Sequence, residues 1–261
     1  MKEASPTEVA AAISADPHPV YLRPEDFLKT IVVQIPGWLE DVTALRTMDL
    51  LSWQEQSGIV GPLLEIGVYG GRYFSILARS AARQGSRVVG IDTFQWISQD
   101  RVWQNLQPVR VDSSLIRFEN CSSTDLDASD LIGLCDHKPR FISVDGSHEL
   151  NDVFHDLELV EAVLAPKGIA ALDDFLNPLT LGVNEAINLF FSTPRNLRPF
   201  AYIRNKLFIC RPSFHETLFA LVPEVMADKD DPVSQTYREM REAKPETTET
   251  MAWGSRIALV P

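Results

Sequence analysis

The chain has 261 residues, 45% hydrophobic and 23% charged, with a formal net charge of −12 and a pI of about 4.9. That balance suits an α/β domain with appendages. It disfavours nucleic acid or an anionic membrane surface as a partner, because like charges repel at long range and no dense Lys/Arg run offers a local basic patch. Cys121, Cys135 and Cys210 have neither zinc nor disulfide spacing, no run nears the roughly 18 apolar residues of a membrane span, and the opening residues do not read as a secretory signal. A reduced, cytoplasmic setting is the expectation.

Residues 1–20, rich in Ala, Pro and Glu, read as a loose arm, and residues 24–58 as helical with Pro36-Gly37 interrupting them. Val42, Leu45, Met48, Leu50 and Leu51 recur at helical spacing beside Trp53, forming a layer that leads into the first strand. From Leu63 onward, short apolar runs alternate with helical stretches. Strands are expected at Leu63–Gly67, Arg87–Ile91, Leu115–Glu119, Arg140–Val144 and Ile169–Leu172, and helices at Phe74–Ala82, 149–165 and Gly182–Phe191. The helix over 149–165 is the clearest, since Leu150, Val153, Phe154, Leu157, Val160 and Leu164 share one face and Pro166-Lys167-Gly168 stops it. Ala201–Ile203 and Leu207–Cys210 flank Arg204-Asn205-Lys206 as a tight hairpin. Residues 224–250 are polar, either a surface helix around Val233 to Ala243 or mobile, and the apolar Arg256–Val260 is expected to pack back onto the body. Alternating strands and helices imply a mainly parallel sheet covered on both faces, with the hairpin adding an antiparallel strand.

In such a sheet, ligands gather beyond the carboxyl ends of the strands. Leu64-Glu65-Ile66-Gly67-Val68-Tyr69-Gly70-Gly71-Arg72 follows the first strand, and its glycines allow a sharp turn and a close backbone approach. Tyr69 and Arg72 break the Gly-x-Gly-x-x-Gly spacing, which argues against a dinucleotide pyrophosphate. A carboxylate two residues before the first glycine suits a ligand with a cationic amino group. Asp92 ends the second strand about 20 residues past the loop, where an acid can accept both hydroxyls of a ribose. Asp145-Gly146-Ser147-His148 follows the fourth strand and Asp173-Asp174 the fifth. Three carboxylates converging there would repel one another without a cation, and hard oxygen donors suit Mg²⁺ or Mn²⁺. Each feature also has a plainer reading. The glycines could serve a βα turn, Asp92, Asp145 and Asp174 could cap turns or helices, and His148 could cap the helix at 149. Trp38, Trp96 and Trp103 could line an acceptor pocket or merely pack loops.

Over roughly residues 40–212 the chain resembles the class I S-adenosylmethionine-dependent methyltransferases. The resemblance implies a Rossmann-like, seven-stranded, mainly parallel sheet with an antiparallel hairpin. Residues 1–60 would form an N-terminal arm and helical lid, 61–212 the cofactor-binding core, and 213–261 an extension packed on it. It places Glu65, Gly67 and Gly71, with Tyr69, Arg72 and Asp145 also among the contacts, around the methionine part of the cofactor. It places Asp92 on the ribose, and Ser122 and Ser123 near the adenine.

The Asp145 and Asp173-Asp174 motifs resemble the metal site of catechol O-methyltransferases, with His148 where those enzymes place a lysine base. Asp-x-x-His with a later Asp-Asp is more similar to the macrocin- and mycinamicin-type sugar O-methyltransferases. This implies Mg²⁺ or Mn²⁺ on Asp145, Asp173 and Asp174, His148 as the base, and a hydroxyl of a sugar, glycoside or small secondary metabolite as the acceptor. Three alternatives stay open: metal-independent N- or O-methylation on the same fold, a non-catalytic nucleotide-binding protein, and a dehydrogenase weakened by the missing glycine spacing. The acceptor's identity and the oligomeric state are open as well.

Overall fold

The computed structural model describes residues 17–227 and 229–261, so the loose arm expected over residues 1–20 lies almost wholly outside the described residues. Two helices, α1 (Pro24–Thr30) and α2 (Asp41–Gln56), precede the first strand, with Pro36-Gly37 in the break between them. The core then alternates β1 (Leu63–Ile66), α3 (Arg72–Gln84), β2 (Val88–Asp92), α4 (Gln99–Leu106), β3 (Ile116–Asn120), α5 (Ala128–Cys135), β4 (Phe141–Val144), α6 (Leu150–Val163), β5 (Ile169–Leu172) and α7 (Leu181–Phe191). A hairpin of β6 (Arg198–Ile203) and β7 (Lys206–Cys210) follows. After it come α8 (His215–Ala227), α9 (Pro232–Ala243), β8 (Glu249–Ala252) and β9 (Ser255–Val260).

The strands run β3-β2-β1-β4-β5-β7-β6-β9-β8 in one sheet. The first five in this order are parallel, β7 lies antiparallel to β5 and β6, β9 parallel to β6, and β8 antiparallel to β9. β1, β4 and β5 are buried along their whole length, as parallel strands covered by helices on both faces must be. One face packs Phe141, Ala171 and Phe208 against Met48 of α2, Phe74 of α3 and Phe219 of α8. The other packs Leu64, Ile142 and Leu172 against Leu131 of α5, Leu157 of α6 and Phe190 of α7.

The sheet has nine strands where seven were expected, because the C-terminal segment does more than pack on the body. β9 pairs directly with β6, matching Ala201 to Ala258 and Ile203 to Val260. Inserting an apolar strand there satisfies both its backbone and that of β6. α2 is tied down by charge as well as by apolar contact. Buried Arg46 bonds Asp49 of its own helix and reaches Asp231, the residue that caps α9.

At the opposite end of the sheet from the glycine loop, Arg140 enters β4 fully buried. It donates to the Gln54 side chain at 2.8 Å, to Ser80 at 2.8 Å and to the Gly61 carbonyl at 3.3 Å, joining α2, α3 and β4. Burial lowers its pKa to about 10, leaving it charged at neutral pH. Its removal orphans several buried partners at once, so Arg140→Ala should cost about 3 kcal/mol of unfolding free energy by urea denaturation. A change below about 0.5 kcal/mol would show that the network contributes nothing.

Candidate active site

The strand order reverses between β1 and β4, since the chain leaves β1 toward β2 on one side and returns from β3 to β4 on the other. At such a switch point the two loops diverge and open a crevice beyond the strand ends. Here the loops are pressed together at their bases. Gly67 has φ +85°, and a Cβ on it would run into the backbone carbonyl of Asp145. The backbone nitrogens of Gly67 and Asp145 donate to Ile91 and Ile66 respectively, each at 2.8 Å. Glycine is required at 67 both by conformation and by space.

Asp92 organises the glycine loop from below. One of its carboxylate oxygens accepts from the backbone nitrogens of Val68 and Tyr69, each at 2.8 Å, and the other from Phe94 at 2.6 Å. Tyr69 is held at φ +47°, an uncommon conformation for a bulky side chain, and its ring packs 5.6 Å from that of Trp38. Arg72 donates to the carbonyls of Ile35 and Val33 and so clasps the segment between α1 and α2 to the loop. Gly70 lies so close to the Pro36 carbonyl that a side chain there could not fit. The N-terminal helical layer is thus fastened to the glycine loop, with Trp38 (85% exposed) and Trp96 prominent on the surface. Trp103 instead packs edge-on against Phe118, a loop-packing role. Ser122 caps the short turn after β3 by accepting from Thr124, and the Ser123 carbonyl lies 3.2 Å from a His155 ring nitrogen.

Asp145, His148 and Asp174 come together, offering one ligand atom each within 4.8 Å of one another. A His148 ring nitrogen lies 3.1 Å from Asp174, whose other oxygen accepts from Asn177 at 2.8 Å. The hydrogen bond to Asp174 raises the pKa of His148, and the same bond lowers that of Asp174. Gly182, at the start of α7, packs against the His148 backbone with no room for a side chain and fixes the loop's position. A narrow crevice passes these groups, lined by Asp145, His148 and Asp173 among others.

Asp173 is placed differently from the other two carboxylates. It pairs with Lys206 at 2.6 Å, and its second oxygen accepts from Asn205 at 2.7 Å and from the Asp174 backbone at 2.9 Å. Lys206 is only 1% exposed, and its ammonium sits 4.5 Å from the centre of the Tyr73 ring. Burial pulls its pKa down, but the charges of Asp173, Asp145 and Glu65 outweigh burial and raise it. Glu65 is also 1% exposed, and one of its oxygens has no hydrogen-bond partner. Burial pushes the Glu65 and Asp145 carboxyls well above the usual range, against the pull of Lys206. Lys206 escapes a reading of spacing alone, because it opens a strand at what looks like the last residue of a turn. The signal was a lone lysine before the wholly apolar Leu207–Cys210.

Comparison with known proteins agrees with this geometry. Residues 64–175 match a family model described as a methyltransferase domain. No curated protein sequence matches significantly. Among solved structures, CalS11, a TDP-rhamnose 3′-O-methyltransferase of calicheamicin biosynthesis, superposes with a TM-score of 0.54 at 18% identity, covering 81% of this chain and 97% of that one. The O-methyltransferase NovP gives 0.52 at 14% identity over 65% and 81%. An O-methyltransferase from Bacillus cereus in complex with SAH gives 0.51 at 15% identity over 78% and 94%. The fold is that of the class I S-adenosylmethionine-dependent methyltransferases. On that fold, residues 64–175 match a methyltransferase domain.

The two opposite pKa shifts define a pH window for the His148–Asp174 bond. His148 is raised, so its contribution is present below 6.5 and lost as pH rises through the raised value. Asp174 is lowered, so its contribution is present above 3.8 and lost as pH falls through the lowered value. In metal-free protein, an NMR titration of the His148 ring should therefore give a midpoint above 6.5 that moves back toward 6.5 in Asp174→Asn. A wild-type midpoint at or below 6.5 would contradict the bond.

Proposed function

We propose that the enzyme transfers a methyl group from S-adenosylmethionine to a hydroxyl oxygen of a small acceptor, a sugar, glycoside or secondary metabolite, with a divalent cation assisting. The observation that carries this reading is the convergence of Asp145, His148 and Asp174 beside the glycine loop, at the adjacent ends of β4 and β5. The cofactor fits on one count. Glu65 keeps an unpartnered buried oxygen beneath the loop. In this reading Glu65, Gly67, Tyr69 and Gly71 surround the methionine part, with Arg72 fastening the loop, and Asp145 borders the same space. Asp92 takes the ribose, and Ser122 and Ser123 lie near the adenine.

The donors also fit a divalent cation, since carboxylate oxygens of Asp145 and Asp174 lie within 4.8 Å of each other, with the His148 ring beside them. Asp145 and Asp174 would hold Mg²⁺ or Mn²⁺, which when bound acidifies a hydroxyl and holds it in place. His148 removes the proton. Its bond to Asp174 orients the ring and sets which nitrogen carries hydrogen, leaving the other free to accept. The acceptor oxygen forms a bond to the methyl carbon as the carbon–sulfur bond breaks, the bond's electrons stay on sulfur, and the proton rests on His148. Holding both reactants in line supplies much of the rate. Exposed Leu176, Leu179 and Leu181 follow Asp174 and form an apolar rim suited to the uncharged part of an acceptor. Among the described residues no helix is long and apolar enough to cross a membrane.

His148→Ala should lower kcat by about 10²–10⁴-fold while S-adenosylhomocysteine and Mn²⁺ still bind in calorimetry. Loss of Mn²⁺ binding in that variant would make His148 a ligand and remove it as the base. Asp174→Ala should lose Mn²⁺ binding and keep S-adenosylhomocysteine binding, and full activity in EDTA would sink the metal's part.

A further inference from the structure

The acidic strand ends already contain a cation of their own. Asp173 would be one of the metal's carboxylates if spacing alone decided, yet every donor around it is supplied by the protein. Lys206 holds one oxygen at 2.6 Å, and Asn205 with the Asp174 backbone nitrogen holds the other. The pairing follows from sheet geometry. Leu172 of β5 lies opposite Leu207 of antiparallel β7, so the next residues along, Asp173 and Lys206, face each other as well. Lys206 is also confined from its other side. Its ammonium sits 4.5 Å from the centre of the Tyr73 ring, and the Tyr73 hydroxyl is 3.0 Å from that of Thr47 on α2. An ammonium at 1% exposure is tolerated only where it is paired and where its remaining faces meet polar or aromatic groups. Here the surroundings meet that condition.

We propose that Lys206 is the resident cation of this site: its ammonium satisfies Asp173, removes it from the divalent donor set, and leaves Asp145 and Asp174 as the carboxylates that hold the ion. Lys206 is therefore a positioning residue, setting which carboxylates are free and how much negative charge the ion meets. A divalent ion near Asp145 is attracted by its carboxylates and repelled by the lysine, so metal affinity is held lower than three free carboxylates would give. The inference rests on the metal-assisted reading above.

The test is Mn²⁺ binding to the full chain, followed by electron paramagnetic resonance and calorimetry without cofactor. Four proteins are compared: wild type, Asp173→Asn, Lys206→Met, and the double variant. Asp173→Asn should weaken Mn²⁺ binding severalfold, because it strips Lys206 of its counter-charge without removing a ligand. Lys206→Met should tighten Mn²⁺ by about tenfold or more, as a positive charge is lost and Asp173 is released. The double variant, which removes both charges and leaves no lone buried carboxylate should Lys206→Met fold poorly, should return to wild-type affinity.

A tenfold loss that persists in the double variant, or no gain in Lys206→Met while wild type binds, would overturn the role of Lys206 and leave the metal reading standing. Binding by Lys206→Met alone would uphold Lys206 as the resident cation and take down the metal-assisted reading. Binding by none of the four would overturn both.

Discussion

The backbone contact between Gly67 and Asp145 is the constraint on which the rest of the site depends. β1 and β4 are neighbours in space though separated by two whole βα units in the chain, and their loops must part to make a crevice. They can do so only from a shared base where the two backbones touch, and the missing side chain at Gly67 permits that contact. Everything chemical is referred to this point. Asp92 fixes the loop above it, Asp145 emerges from the far side of it, and β5 carries Asp173 and Asp174 one strand further along.

A second theme is the way negative charge is tolerated. Glu65, Asp145, Asp173 and Asp174 crowd the strand ends with little solvent to screen them. Their repulsion is relieved by two basic groups of different character. Lys206 is buried and firmly held, whereas His148 is about half exposed, with its side chain at 49%. A fixed cation suits structure, and an exposed imidazole suits proton transfer. The same division separates the two adjacent aspartates: Asp173 pairs with the lysine, and Asp174, at φ +59°, with the histidine.

Much of this was legible from residue order. The strand at Ile169–Leu172 has the predicted limits, and the helix from Leu150 ends where Pro166-Lys167-Gly168 requires. The chemistry-bearing residues at the ends of β1, β2, β4 and β5 stand out because these parallel strands are mostly apolar and then stop at Asp or Gly. Less legible were elements whose signals conflict. α8 contains Pro223, a residue that argues against a helix, and α5 is announced mainly by its Asp127/Asp130 capping box. β8 is an edge strand with Glu249 and Thr250, and edge strands need no apolar pattern. The partner of Asp173 was out of reach for another reason. It depends on the register of β5 against β7, a relation between residues 173 and 206 that no local spacing contains.

The parallel pairing of β6 with β9 also bears on how the protein is made. β6 leaves one backbone edge open once its hairpin with β7 has closed, and the strand that covers it lies beyond α8 and α9, ending at Val260. Once β6 and β7 have folded, that edge would stay unpaired until β9 is made. Such an edge invites pairing with another nascent chain, so the yield of this protein in a cell would depend on how quickly β9 is delivered, or on a chaperone that shields β6 in the interval.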